Sequence, residues 1–288
     1  MDTKPILDFR NAQACCHLLS AGPSANAILG KFVGISMPGA IELFSIAARS
    51  QEGTPLRQEI RAAARDGVQP WFDIMHAWDD GCQSRTRGFK VQSLEFRRVG
   101  DGSGGESEEL EGSLFEQRFC RSIAADGFSP DAANWMARVF HEMIDNVSQH
   151  SGPPGTPASA ISGYQVAPNY FAFSVSDLGW GFHKSLTRSP DWSHLADDRE
   201  ALLAVIQKSA SSRTGEGEGM GFKELFKALA DRGALIRIRS GTSLARVVAT
   251  STGREAELST MGFAQGVHVS VCCQLGKETK ELRIENCS

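Results

Sequence analysis

The stretch that most restricts the fold is Ser129-Pro130-Asp131 and the sequence behind it. Ser is a good helix cap, Pro tolerates the first turn because no N–H is lost there, and Asp faces the positive end of the helix dipole. From Pro130 to about His150, Met136, Val139, Phe140, Met143, Ile144 and Val147 recur at three- and four-residue steps. The spacing predicts a long helix with one apolar stripe, and such a stripe must be buried against another layer. Two alternating segments follow, Ala160 to Val166 and Tyr170 to Ser176, separated by Pro168-Asn169. They read as an antiparallel hairpin. Helical spacing returns over Asp198–Ser209 and Phe222–Asp231, and strand patterning over Ala234–Arg239, Ala245–Ala249 and Val267–Gln274. The expected class is α+β: a two-layer sandwich whose mixed, mostly antiparallel sheet is covered by helices on one face.

Upstream, Gly100 to Gly112 holds five acids, five glycines and one apolar residue, which predicts a mobile linker. It divides the 288 residues into a smaller α/β unit over 1–99, a linker over 100–112, a main domain over 113–276 and a tail over 277–288. In the first unit, Pro5 to Phe9 and Phe89 to Phe96 alternate like strands, while Ala40–Ala48, Leu56–Ala64 and Trp71–Trp78 are spaced like helices. Its His17 and His76 have no partners at ligand spacing. Leu114 to Ile123 is expected as a helix capped by Ser113 and ending near Gly127.

Thirty Lys and Arg against 34 Asp and Glu leave a net charge of -4, which offers no broad cationic field for nucleic acid. No apolar run approaches the roughly 18 residues of a membrane span, and the opening residues lack an apolar signal core. Seven cysteines without a C-x-x-C, among them the neighbours Cys15-Cys16 and Cys272-Cys273, suit reduced thiols in a cytoplasmic setting.

Three stretches carry chemistry. Glu142 and Asn146 lie one helical turn apart and so share a face. An amide oxygen is a hard neutral donor suited to Mg²⁺, and a neighbouring carboxylate can polarise an attacking water. Asp177-Leu-Gly179-Trp-Gly181 directly follows a strand. A strand-end carboxylate accepts a hydrogen bond from an exocyclic amine, and glycines let backbone approach a flat ring. Gly215-Glu-Gly217-Glu-Gly219-Met220-Gly221 runs into a helix start, where backbone N–H groups favour phosphate. No Gly-Lys-Ser/Thr ends that run and its glycines recur every second residue, so it is neither a P-loop nor a dinucleotide fingerprint.

In this order the three stretches resemble the GHKL superfamily of ATP-binding domains, which includes gyrase B, a class of heat-shock chaperones, histidine kinases and MutL. The resemblance covers about residues 113 to 275. It implies Asn146 as the Mg²⁺ ligand, Glu142 as catalytic base, and Asp177, Gly179 and Gly181 as adenine contacts. It also implies a lid over Phe182 to Glu216, closed by Gly217, Gly219, Met220 and Gly221. Arg213, flanked by Lys208 and Lys223, is the favoured cation for the triphosphate. His141 and His150 are expected as surface or supporting residues.

No upstream helix has the His, acid and Pro pattern of a histidine-kinase dimerisation segment, and with so few residues after the last strand the second domain of gyrase and MutL is not expected. Gly266 is followed by Val267 where the family often has Thr, which removes a hydroxyl near the phosphates. The expected function is that of a Mg-ATP-binding regulatory module, a slow ATPase whose N-terminal unit recognises a partner protein, with homodimerisation open. The alternatives are a Ser/Thr protein kinase of anti-sigma-factor type, or a partner-binding protein with a degenerate nucleotide site.

Overall fold

The computed structural model describes residues 6–7, 34–35, 39, 41–42, 84–88, 91–99, 106–125, 128–150, 152–153, 160–167, 170–211, 220–229, 234–250 and 253–274. The elements in chain order are β1 (Ile6–Leu7), β2 (Gly34–Ile35), β3 (Ser84–Gly88), β4 (Val91–Val99), α1 (Glu106–Ala125), α2 (Pro130–His150), β5 (Ala160–Ala167) and β6 (Tyr170–Asp177). They continue with α3 (Gly181–Leu186), a 3₁₀ turn (Pro190–Trp192), α4 (Asp198–Lys208), α5 (Met220–Leu229), β7 (Ala234–Thr250) and β8 (Gly253–Gln274). The class is α+β. Six strands form one antiparallel sheet in the order β3-β4-β5-β6-β8-β7, and β1 and β2 make a separate parallel pair.

The amphipathic helix lies where its sequence puts it. Ser129 caps it, its Oγ accepting from the Ala132 N–H at 3.2 Å and its carbonyl from the Ala133 N–H at 2.9 Å. All six apolar residues of the expected stripe are buried. They meet one face of the sheet, where Tyr164, Phe173, Val271 and Ile236 lie side by side in register on successive strands. Phe115, Phe119 and Ile123 of α1 complete this core, Phe119 packing edge-on against Phe140 at 5.0 Å. Aromatic burial of this kind stabilises a core by about 1.5–3 kcal/mol per side chain.

Several expectations shift. Ser113 is not a cap: α1 begins at Glu106, inside the expected linker, because Glu and Leu are good helix formers and acids suit the first turn. The sheet also continues across that segment, since β4 pairs with β5 from Val99↔Ala160 to Ser93↔Val166. The strands expected at Ala234–Arg239 and Ala245–Ala249 form one 17-residue strand with irregular register around Gly241, paired to the 22-residue β8. The three helices expected over Ala40–Ala48, Leu56–Ala64 and Trp71–Trp78 lie outside the described residues apart from Ile41 and Glu42.

Nor is the other sheet face open. Cys272, Ser270, His268, Arg237, Arg239, Ser174 and Ser176 are buried there. Glu42 reaches this face and receives two hydrogen bonds from Arg237, one of them at 2.9 Å, and one from Arg239 at 2.7 Å. Helices therefore cover one face and the Glu42 segment meets the other. No helix among the described residues is long and apolar enough to cross a membrane.

Candidate functional site

Asp177 ends β6 in the same alternation as Phe171, Phe173 and Val175, so it faces the helical layer. It is 6% exposed. Its Oδ1 accepts from the Gly179 N–H at 2.7 Å, an Asx-type turn that redirects the chain away from the strand. Its Oδ2 accepts from the Val267 N–H of β8 at 3.2 Å. Burial raises the Asp177 carboxyl to about 6, and the two backbone N–H groups work against that rise. At neutral pH the group is a carboxylate with acceptor capacity left on each oxygen.

Two glycines make this geometry feasible. Gly266 has φ +76, and a Cβ there would collide with the Asp177 carbonyl. Gly181 has φ +75 and lies against the Ser240 hydroxyl and the Gly266 carbonyl, so α3 can start directly beneath the strand end. Ser240 fixes that start by accepting from the Phe182 N–H at 2.9 Å.

Helix α2 advances in the same sense as β6. Phe128, just before it, packs on Phe171 at 5.0 Å, and Phe140 packs on Phe173 at 5.1 Å. Glu142 and Asn146 lie further along the same helix, beyond Phe140. Glu142 is exposed and Asn146 is partly buried. Helix α5 packs beside α2 and opens with Met220 and Gly221. Arg213, Gly217 and Gly219 lie outside the described residues, as does the side chain of His150.

The two lysines on either side of Arg213 are described. Lys208 holds its ammonium 5.8 Å from the Trp192 ring, and Lys223 is exposed on α5. His141 bridges α1 and α2, with Nδ1 2.7 Å from Glu116 and Nε2 3.4 Å from Asp145. The Glu116 hydrogen bond, reinforced by the neighbouring carboxylates, raises it to about 9 despite partial burial. It is thus an imidazolium that ties two helices together. As far as Lys208 the expected lid region holds α3, the 3₁₀ turn and α4, joined by short turns. Leu186, Ala201, Ala204, Val205 and Ala210 form a small core of their own there, and Asp198 fastens α4 to β7 by accepting from the Thr242 N–H at 2.8 Å.

Sequence reasoning missed two groups. One is the Glu42, Arg237 and Arg239 cluster, signalled only by an Arg-x-Arg alternation within a strand. The other is Trp180 with Lys184 and Arg188 beside it, signalled by steps of four residues directly after Asp177. Among the described residues no group of three or more His, Cys, Asp or Glu converges on a metal position. That donor set suits Mg²⁺ only as Asn146 can supply it, one amide oxygen with phosphates and waters completing the shell. No protein-family model matches the chain, and no curated protein matches it.

Proposed function

We propose that the chain binds Mg-ATP between α2 and the end of β6 and acts as a nucleotide-controlled module with slow hydrolysis, on a two-layer sandwich of GHKL type. The observation that carries this reading is the Asp177 carboxylate. It is buried at a strand end, held by two backbone N–H groups of different segments, on the sheet face that the helical layer covers. In this reading Asp177 accepts from the adenine amine, and the positive-φ turns at Gly181 and Gly266 keep side chains away from it. Asn146 holds Mg²⁺, which neutralises phosphate charge when bound. Glu142, exposed and one turn from Asn146, takes a proton from the attacking water.

The test is thermal unfolding with Mg²⁺ and either ATP or ITP. Ligand at about 100 times Kd adds roughly 2.7 kcal/mol, or a Tm rise of about 5–10 °C for a chain of this size. ITP presents a carbonyl where ATP presents an amine, so a carboxylate acceptor should reject it by a factor on the order of 100. Equal shifts with both nucleotides, or none with ATP, would overturn the assignment. Glu142→Gln should keep the shift and lose phosphate release.

A further inference from the structure

Three residues beside Asp177 have no part in the site as described above. Trp180, Lys184 and Arg188 lie four residues apart along one side of α3 and its C-terminal extension. The Lys184 ammonium is 5.1 Å and the Arg188 guanidinium 4.3 Å from the centroid of the same Trp180 ring. Both cations are exposed, and the ring is half-buried. Like charges four residues apart on a helix repel by a few tenths of a kcal/mol, so local helix energetics do not favour this arrangement. Neither cation makes an ion pair among the described residues. Of the carboxylates nearest in sequence, Asp177 is turned to the N–H groups of Gly179 and Val267, and Asp191, three residues beyond Arg188, forms no ion pair with either cation among the described residues. In a chain of net charge -4, two uncompensated positive charges gathered on one aromatic face are a local excess that an anion would relieve.

We infer that Lys184 and Arg188, held by the Trp180 ring, form a polyphosphate clamp next to the Asp177 carboxylate. The inference rests on the nucleotide reading for its ligand: Asp177 takes the base, and the pair takes the phosphates of the same molecule. It moves that task from Arg213, where sequence reasoning placed it, to the helix that follows Asp177. The ring supplies a face that holds both side chains extended, so less side-chain freedom is lost when phosphate arrives.

Calorimetric titration of the full chain with Mg-ATP, ADP, adenosine and tripolyphosphate tests this. For Lys184→Gln with Arg188→Gln, ATP affinity should fall by at least about tenfold and ADP affinity by less, while adenosine affinity stays unchanged. Both side chains are exposed, so the double variant should keep the wild-type Tm without ligand. Trp180→Phe should give an intermediate loss, and Arg213→Gln a smaller one. ATP affinity within twofold of wild type in the double variant overturns the clamp and leaves the nucleotide reading standing. If wild type binds tripolyphosphate but not ATP, and the double variant loses it, the clamp holds and the nucleotide reading fails. Binding of neither probe by wild type overturns both.

Discussion

Replacing Glu42 with Gln keeps its shape and removes its charge, leaving Arg237 and Arg239 side by side in a buried layer without their shared counterion. Each of the three side chains is 2–3% exposed, so water cannot stand in for the lost carboxylate. Burial alone would raise the Glu42 carboxyl. Arg237 and Arg239 outweigh it and bring the group from 4.5 to about 2. A carboxylate so depressed contributes on the order of 3 kcal/mol at neutral pH, and breaking a buried pair from one side costs about 3–5 kcal/mol. The two routes agree in magnitude. Because the folded-state value lies below the unfolded one, the contribution is complete above about pH 4.5 and is lost as pH falls through about 2. At neutral pH the Gln variant should therefore melt on the order of 10 °C lower, at roughly 2–4 °C per kcal/mol. Its Tm should also lose the wild-type decline between pH 4.5 and 2. Calorimetry or circular dichroism reads both. Replacing all three residues together, Glu42→Met with Arg237→Met and Arg239→Leu, should recover much of the loss, since apolar substitutes of similar size often match a buried ion pair. A single Gln variant within 1 °C of wild type, expected to be about ten times more affected, would refute the reasoning.

Gly266→Ala should cost about 1–3 kcal/mol in denaturant unfolding, because φ +76 strains an alanine and its Cβ meets the Asp177 carbonyl. The same variant should also weaken ATP binding if Asp177 moves with it. Burial raises the Asp177 carboxyl from 3.8 to about 6, so its contribution to stability is full below 3.8 and is lost as pH rises through about 6. Asp177→Asn should flatten the stability profile across that window. The His141 imidazole should titrate near 9 by NMR and return toward its ordinary 6.5 in Glu116→Gln. Its stabilisation is present below 6.5 and is lost as pH rises through about 9. At 51% exposure it should amount to less than about 1 kcal/mol.

What the chain reveals by reading alone follows the range of the interactions. The Ser129 cap, the apolar stripe of α2 and the alternation of β5 and β6 are set by neighbours within a few residues, and they form as expected. The start of α1 differs because a local rule, that acidic glycine-rich segments are linkers, loses to the helix propensity of Glu and to burial of Phe115 and Phe119. The polar face of the sheet was illegible for another reason. Glu42 is 195 residues from Arg237, and no spacing in the sequence records that they meet. In the candidate site, Asp177 could be singled out from its strand-end position, but its bond to Val267 spans 90 residues and appears only with the fold.

That long separation has a consequence during synthesis. Strand β8 lies between β6 and β7 although it is the last of the three to leave the ribosome. Until it emerges, one margin of β6 has no mate, and Asp177 holds only the tether from its own turn. A newborn chain can assemble the helical layer and the first hairpin early, yet the acidic end of β6 is completed only by the final insertion. Translation stalls or truncations ahead of position 267 should therefore yield a species compact enough to persist and ready to pair with a stray strand.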